Sequence, residues 1–203
     1  MRNKMLLLLT SIFCMLSLEI FSQSPWKLDK NKDGIKVYTR IEENSDFNSF
    51  KAIITVDATT DEILKILKNT SNYTKWYGYT KTATLLKQEN DVQYNYVETI
   101  FPWPFRNRDM VYKMTTNKLN SGVIKISLKG ISDYIQDKKG IIRMKKAEGY
   151  ILLRPSNNST EILYVFHSEP GDSVPAWMAN SSIAKLPFKT LSGLRKILKK
   201  KRK

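Results

Sequence analysis

Five strand-like segments follow one another between residues 92 and 167 with no helical stretch between them. They cover 92–100, 110–116, 123–128, 141–153 and 161–167, are rich in β-branched and aromatic residues, and are separated by Asn, Gly, Asp and Pro. Strands joined without crossover helices pair antiparallel, so this order predicts a meander and argues against βαβ units. Upstream, Ile35, Val37, Thr39 and Ile41 alternate with Lys36, Tyr38 and Arg40, the period of a half-buried strand, and 50–56 reads as a second one. The period then changes. Thr59 or Thr60 can cap a helix, Asp61 and Glu62 suit its positive first turn, and Ile63, Leu64, Ile66 and Leu67 form one apolar face. A short second helix or turn is expected around Tyr73, Trp76 and Tyr77. After Pro175 the pattern is helical again, with Leu186, Leu191, Leu194 and Leu198 on one side and Pro187 expected to kink or break it near its middle.

These elements predict an α+β fold in which a long curved antiparallel sheet wraps around a C-terminal helix. One domain over residues 24–203 accounts for all of them. The chain has 203 residues, which suits one ordinary domain, and its 22 aromatics (10 Tyr, 8 Phe, 4 Trp) exclude a disordered tail protein.

The first residues read as an address. Arg2 and Lys4 precede an apolar stretch from Met5 to Leu18, and Ser22, Gln23 and Ser24 offer a cleavage region, so residues 1–23 are read as a signal peptide. The stretch is too short for the roughly 30 Å hydrocarbon core of a bilayer. Cys14 follows the bulky Phe13, which is not the small residue that lipoprotein acylation requires. With Cys14 removed, the mature chain has no cysteine, and a periplasmic or secreted location is expected.

Charge is concentrated at one end. Lys and Arg number 34 against 19 acidic residues, a net charge of +15. Residues 185–203 hold nine of the basic groups and no acid, and seven of these fall in 195–203. Cations suit a helix C-terminus, but seven in nine residues exceed what capping needs. A basic helix end beside an anionic bilayer gains about 1 kcal/mol per close residue. Nucleic acid is the other polyanion such an end could meet, and export argues against it.

Three segments resemble a known family. They are Phe101-Pro102-Trp103-Pro104-Phe105-Arg106-Asn107-Arg108-Asp109, then Gly140-Ile141-Ile142-Arg143, then Glu169-Pro170-Gly171-Asp172-Ser173-Val174-Pro175-Ala176-Trp177-Met178-Ala179-Asn180. Their order and spacing are similar to those of START domains, the steroidogenic-acute-regulatory-protein-related lipid-transfer family, and the resemblance spans about residues 26–198. It implies a helix-grip fold with an internal apolar tunnel. It also implies binding of one lipid, sterol or similar amphiphile, with no catalytic machinery and no cofactor.

The same resemblance places Arg108 near a ligand head group and Glu98 on the preceding cavity strand, either as ligand contacts or as a structural ion pair with each other. Tyr96, Tyr94 and Trp103 line the tunnel or belong to plain core. Arg143 faces the tunnel or satisfies a strand end. Trp177 and Met178 open the last helix, where a lid would sit. Trp177, Arg195, Lys196, Lys199 and Lys200 are the candidate membrane contacts. His167, the one histidine, reads as structural. There is no phosphate-loop fingerprint and no paired-histidine metal motif.

The expected function is therefore a monomeric lipid carrier that docks on anionic membranes. Two alternatives remain open. One is a cyclase- or hydrolase-type enzyme on the same fold, using Glu98 or His167 for proton transfer. The other is a basic interaction protein that acts through its tail.

Overall fold

The computed structural model describes residues 24–171 and 174–201. The segment read as a signal peptide lies outside them, as do Asp172, Ser173 and the last two residues of the basic end. The elements run β1(Lys27–Lys32), β2(Ile35–Glu42), β3(Ser45–Val56), α1(Thr60–Lys68), a 3-10 turn over Thr70–Lys75, β4(Thr80–Glu89), β5(Val92–Thr99) and β6(Arg108–Lys118). They continue with β7(Ile124–Gly130), β8(Ile142–Arg143), β9(Lys146–Ser156), β10(Ser159–Glu169), α2(Ala176–Ser182) and α3(Lys185–Lys201).

One antiparallel sheet has the order β1-β2-β3-β10-β9-β7-β6-β5-β4, and the short β8 lies parallel to β6. The last strand is thus inserted beside the third, because β10 pairs with β3 on one side and β9 on the other. Two strands went unread in the sequence, β1 and β4, and both are edges. None of β1's side chains is buried and only Thr80 is buried on β4, so neither carries an apolar alternation. The single strand expected over 141–153 is two elements, β8 and β9, interrupted at Met144 and Lys145.

The register identifies the inner face. Ala52, Tyr164, Ile151 and Ile126 sit opposite one another across β3, β10, β9 and β7, and Phe166 and Leu128 flank Gly149 in the next row. Residues two apart share a face, so on β6 and β5 the inner set includes Met110, Tyr112 and Met114, with Asn95 and Val97.

Helix α1 begins with a capping box. Thr59 Oγ1 accepts from the Glu62 amide at 3.2 Å, and Glu62 Oε2 accepts from the Thr59 amide at 2.8 Å. Its apolar face, Ile63, Leu64, Ile66 and Leu67, is buried in the core.

The C-terminal helix breaks at Ile183 and Ala184, ahead of Pro187, which was expected to be the breaking point. Pro187 instead occupies the first turn of α3. Amide groups there have no intrahelical acceptor, so proline removes nothing. Leu191, Leu194 and Leu198 turn α3 onto the sheet. Gly193 lets the helix approach the 3-10 turn, because a Cβ at that position would overlap the carbonyl of Trp76.

Candidate functional site

Between the inner face of the sheet and helices α2 and α3 lies a cavity of about 190 Å³. Val97, Met110, Met114, Leu128, Ile151 and Phe166 supply its apolar wall from five strands. Phe47, Asn48, Phe101, Asn180 and Ile183 are only partly buried and mark its rim, whereas Leu67, Tyr73, Tyr112 and Tyr164 are buried and mark its depth. No charged side chain among the described residues lines it. Asn180 ties α2 to the start of β3, accepting from the Asn48 amide and donating to the Asp46 carbonyl, both at 2.8 Å.

Alternation separates the two residues expected to face each other. Arg108 pairs with Thr99 in the register and lies on the inner set, whereas Glu98 pairs with Asp109 and lies on the outer one. Arg108 is fully buried at the rim end of β6. Its Nε donates to the Pro170 carbonyl at 3.1 Å, Nη1 donates to the Arg106 carbonyl, and the guanidinium sits 4.5 Å from the centre of the Phe101 ring. Phe101 and Pro170 line the cavity, so Arg108 stands directly behind its wall.

Glu98 bonds elsewhere. Its carboxylate accepts from Asn107 Nδ2 at 2.7 Å, Lys81 Nζ at 3.0 Å and Thr82 Oγ1 at 3.3 Å. Burial pushes this carboxyl upward, but the bonds from Asn107 and Lys81, with the Lys81 charge, outweigh burial and hold its pKa below the ordinary carboxylate value. The expected Glu98–Arg108 pair is therefore replaced by two independent sites on opposite faces.

Other tunnel-lining expectations are corrected in the same way. Tyr96 is buried on the outer face, beneath Lys138, whose Nζ lies 3.8 Å from the ring centre, and Tyr94 stacks on Tyr134 at 4.8 Å. Arg143 is held on that side by Asp109. The connection after β7 crosses the outside of β5, where Tyr134 and Lys138 cover Tyr94 and Tyr96. Trp103 is 92% exposed, and Trp177 is 74% exposed on α2. Met178 is half-buried beside the lining residue Ala179. Arg195 turns aside to donate to the Asp33 carbonyl at 2.5 Å, while Lys196, Lys199 and Lys200 are exposed.

The tyrosines that reach the cavity escaped the sequence reading as site residues. Tyr73, Tyr77, Tyr112 and Tyr164 all line it. The Tyr77 and Tyr164 hydroxyls are 2.6 Å apart, and the Tyr73 hydroxyl donates to the Leu67 carbonyl. Burial pushes the Tyr77 pKa up to about 12 and raises those of Tyr73, Tyr112 and Tyr164 as well, so all four are neutral hydroxyls at physiological pH. Inward alternation could have flagged Tyr112 and Tyr164. Nothing local shows that Tyr77 meets Tyr164 across 87 residues of chain.

The START domain family model matches residues 16–203. The chain belongs to the START domain family. This START domain is 34% identical to an uncharacterised protein of Pseudomonas aeruginosa, over 87% of the chain and 88% of that relative. It is 25% identical to the phosphatidylcholine transfer protein of Mus musculus, over 76% of the chain and 75% of the mouse protein. Among solved structures, a STAR-related lipid transfer protein from Xanthomonas axonopodis superposes with a TM-score of 0.82 at 34% identity, covering 86% of this START domain and 98% of that chain. The curved sheet closed by C-terminal helices is the START fold.

Proposed function

We propose that this START domain takes one lipid or comparable amphiphile into the cavity beneath α2 and α3 and carries or presents it at anionic membranes, making and breaking no bond. The observation that carries this reading is the cavity itself, a mostly apolar, uncharged space at the position where the fold closes on its helices. Apolar walls with a few convergent polar groups are the general form of a small-molecule site. Its volume is below the roughly 300 Å³ at which ligand pockets usually begin, so loading requires the walls to move apart. Helix α2 is the element suited to move, since none of its side chains is fully buried and Asn180 forms its hydrogen bonds to β3.

The membrane part of the proposal rests on α3 and Trp177. Lys185, Lys189, Lys196 and Lys200 are exposed and fall on one side of α3 at helical spacing. The basic surface is thus a stripe along the helix that extends well beyond its end. Trp177 precedes the helix, and α3, with 17 residues, is about 25 Å long. Both reach one bilayer only when α3 lies along it. Arg195, facing Asp33, takes no part. We further propose that residues 1–23 direct the chain to the periplasm or outside the cell, and that it acts as a monomer.

The enzymatic alternative loses its proton-transfer groups. Glu98 is on the outer face, and so is His167, which follows the inward Phe166 on β10.

The test is native mass spectrometry with organic extraction on gently purified full-length protein expressed with its leader, followed by transfer between phosphatidylcholine vesicles with and without anionic lipid. A stoichiometric lipid and transfer accelerated by anionic lipid support the reading. A protein that arrives empty and accepts nothing from vesicles overturns it.

A further inference from the structure

We infer that the paired hydroxyls of Tyr77 and Tyr164 form a polar subsite deep in the cavity that receives an uncharged oxygen, hydroxyl or carbonyl, of the bound lipid. This rests on the lipid-binding reading above and gives it a chemical class.

A tyrosine hydroxyl has one proton to donate and can also accept. The contact of 2.6 Å between Tyr77 and Tyr164 uses one of the pair's two protons, and no acceptor among the described residues takes the other. Tyr164 is buried, Tyr77 is partly buried and most of the lining is apolar, so a ligand that brings no oxygen covers this spare donor and leaves it unmet. Tyr73 is engaged with the Leu67 carbonyl, and Tyr112 stands beside it, so the two neighbours hold the edge of the subsite in place. The ring stack of Tyr73 on Tyr77, at 5.1 Å, fixes the direction of the Tyr77 hydroxyl.

The subsite selects against anions. With no charged side chain among the described lining residues, an anionic group at this depth would have no counter-ion. Tyr112 follows Arg108 by four residues on β6, which puts it about 13 Å from the arginine at the rim end. An anionic head therefore stays at the rim while an uncharged oxygen of the buried portion meets the tyrosines. A sterol-type hydroxyl and an acyl ester carbonyl both present that chemistry.

Two ligand pairs distinguish these sources: cholesterol against cholest-5-ene, and methyl palmitate against hexadecane. Each is offered to the delipidated full chain from cyclodextrin, with affinity read by quenching of intrinsic fluorescence. We expect the oxygen-bearing member of at least one pair to bind about tenfold more tightly, and the pair concerned names the source. The Tyr77→Phe/Tyr164→Phe double variant keeps both rings and should abolish that preference, weakening the oxygen-bearing member and tightening the oxygen-free one, which no longer leaves a donor unmet. Equal affinity within both pairs for the wild-type chain overturns the subsite but leaves lipid binding standing, and this comparison does not depend on the variant folding. Binding of none of the four overturns both.

Discussion

Arg143 grips both carboxylate oxygens of Asp109, at 2.7 and 3.1 Å, on the outer face of β6, one residue away from Arg108 on the inner face. The two arginines do different work. Arg108 closes the rim end of the cavity from behind Phe101 and Pro170, whereas Arg143 clasps the covering connection, donating also to the Ser132 and Ile135 carbonyls at 2.6 and 3.1 Å.

Because Asp109 and Arg143 are both nearly inaccessible, removing one leaves the other's charge buried. Asp109→Ala should destabilise the domain by about 3–5 kcal/mol in urea unfolding. The Asp109→Leu/Arg143→Met double variant should lose clearly less, and an equal loss would show that the pair is not the source of the penalty.

Glu98→Gln should cost about 2 kcal/mol at neutral pH, since charge-assisted bonds to Lys81 and Asn107 are weakened. The folded-state pKa lies below the ordinary 4.5, so the stabilisation is complete above that value and fades as pH falls through the lowered one. Unfolding of both proteins from pH 7 down to pH 2 checks this. The lipid-binding affinity of Glu98→Gln should match that of the wild type, because Glu98 lies outside the cavity.

Alkaline titration reads the tyrosine cluster. Tyr73, Tyr77, Tyr112 and Tyr164 have raised folded-state pKa values, so above about pH 10 the unfolded chain releases protons that the folded chain retains, and stability falls as pH rises. Burial raises Tyr96 on the outer face in the same way, so five of the ten tyrosines should ionise only as the domain unfolds. Phenolate absorbance followed alongside circular dichroism will show whether the two events coincide.

Reversing the α3 stripe with Lys189→Glu and Lys196→Glu should weaken binding to anionic vesicles by about 2 kcal/mol or more at low salt, and the difference should shrink as salt is raised. Ligand affinity in the absence of vesicles should not change. Sedimentation of vesicles with bound protein measures the first, and intrinsic fluorescence the second.

Gly193→Ala should force α3 away from Trp76 and destabilise the domain by about 1–3 kcal/mol, the usual cost of overpacking. A thermal melt unchanged from wild type would mean that the helix is not seated as tightly as the Trp76 carbonyl requires.

Local order decided what the sequence could determine. The alternation on β2, the β-branched run on β3, the capping residues around Thr59 and the apolar face of α1 each depend on neighbours a few positions away, and each forms as the pattern predicts except at Ile41, which a bulge between Arg40 and Glu42 leaves exposed. Three separated motifs were sufficient to mark the family and hence the closing helix. The edge strands β1 and β4 were invisible because their pairing lies in backbone bonds to β2 and β5, with few or no buried side chains to mark them. On β5, Gln93 and every residue from Asn95 to Glu98 are buried, since the inner face meets the cavity and the outer face meets Tyr134 and Lys138. With both faces covered, no alternation distinguishes tunnel from exterior, which is why Glu98 and Tyr96 were assigned to the wrong side. The meeting of Tyr77 with Tyr164 and the clasp of Arg143 on Asp109 are contacts between segments far apart in the chain, and only the closing of the sheet on its helices brings such groups together.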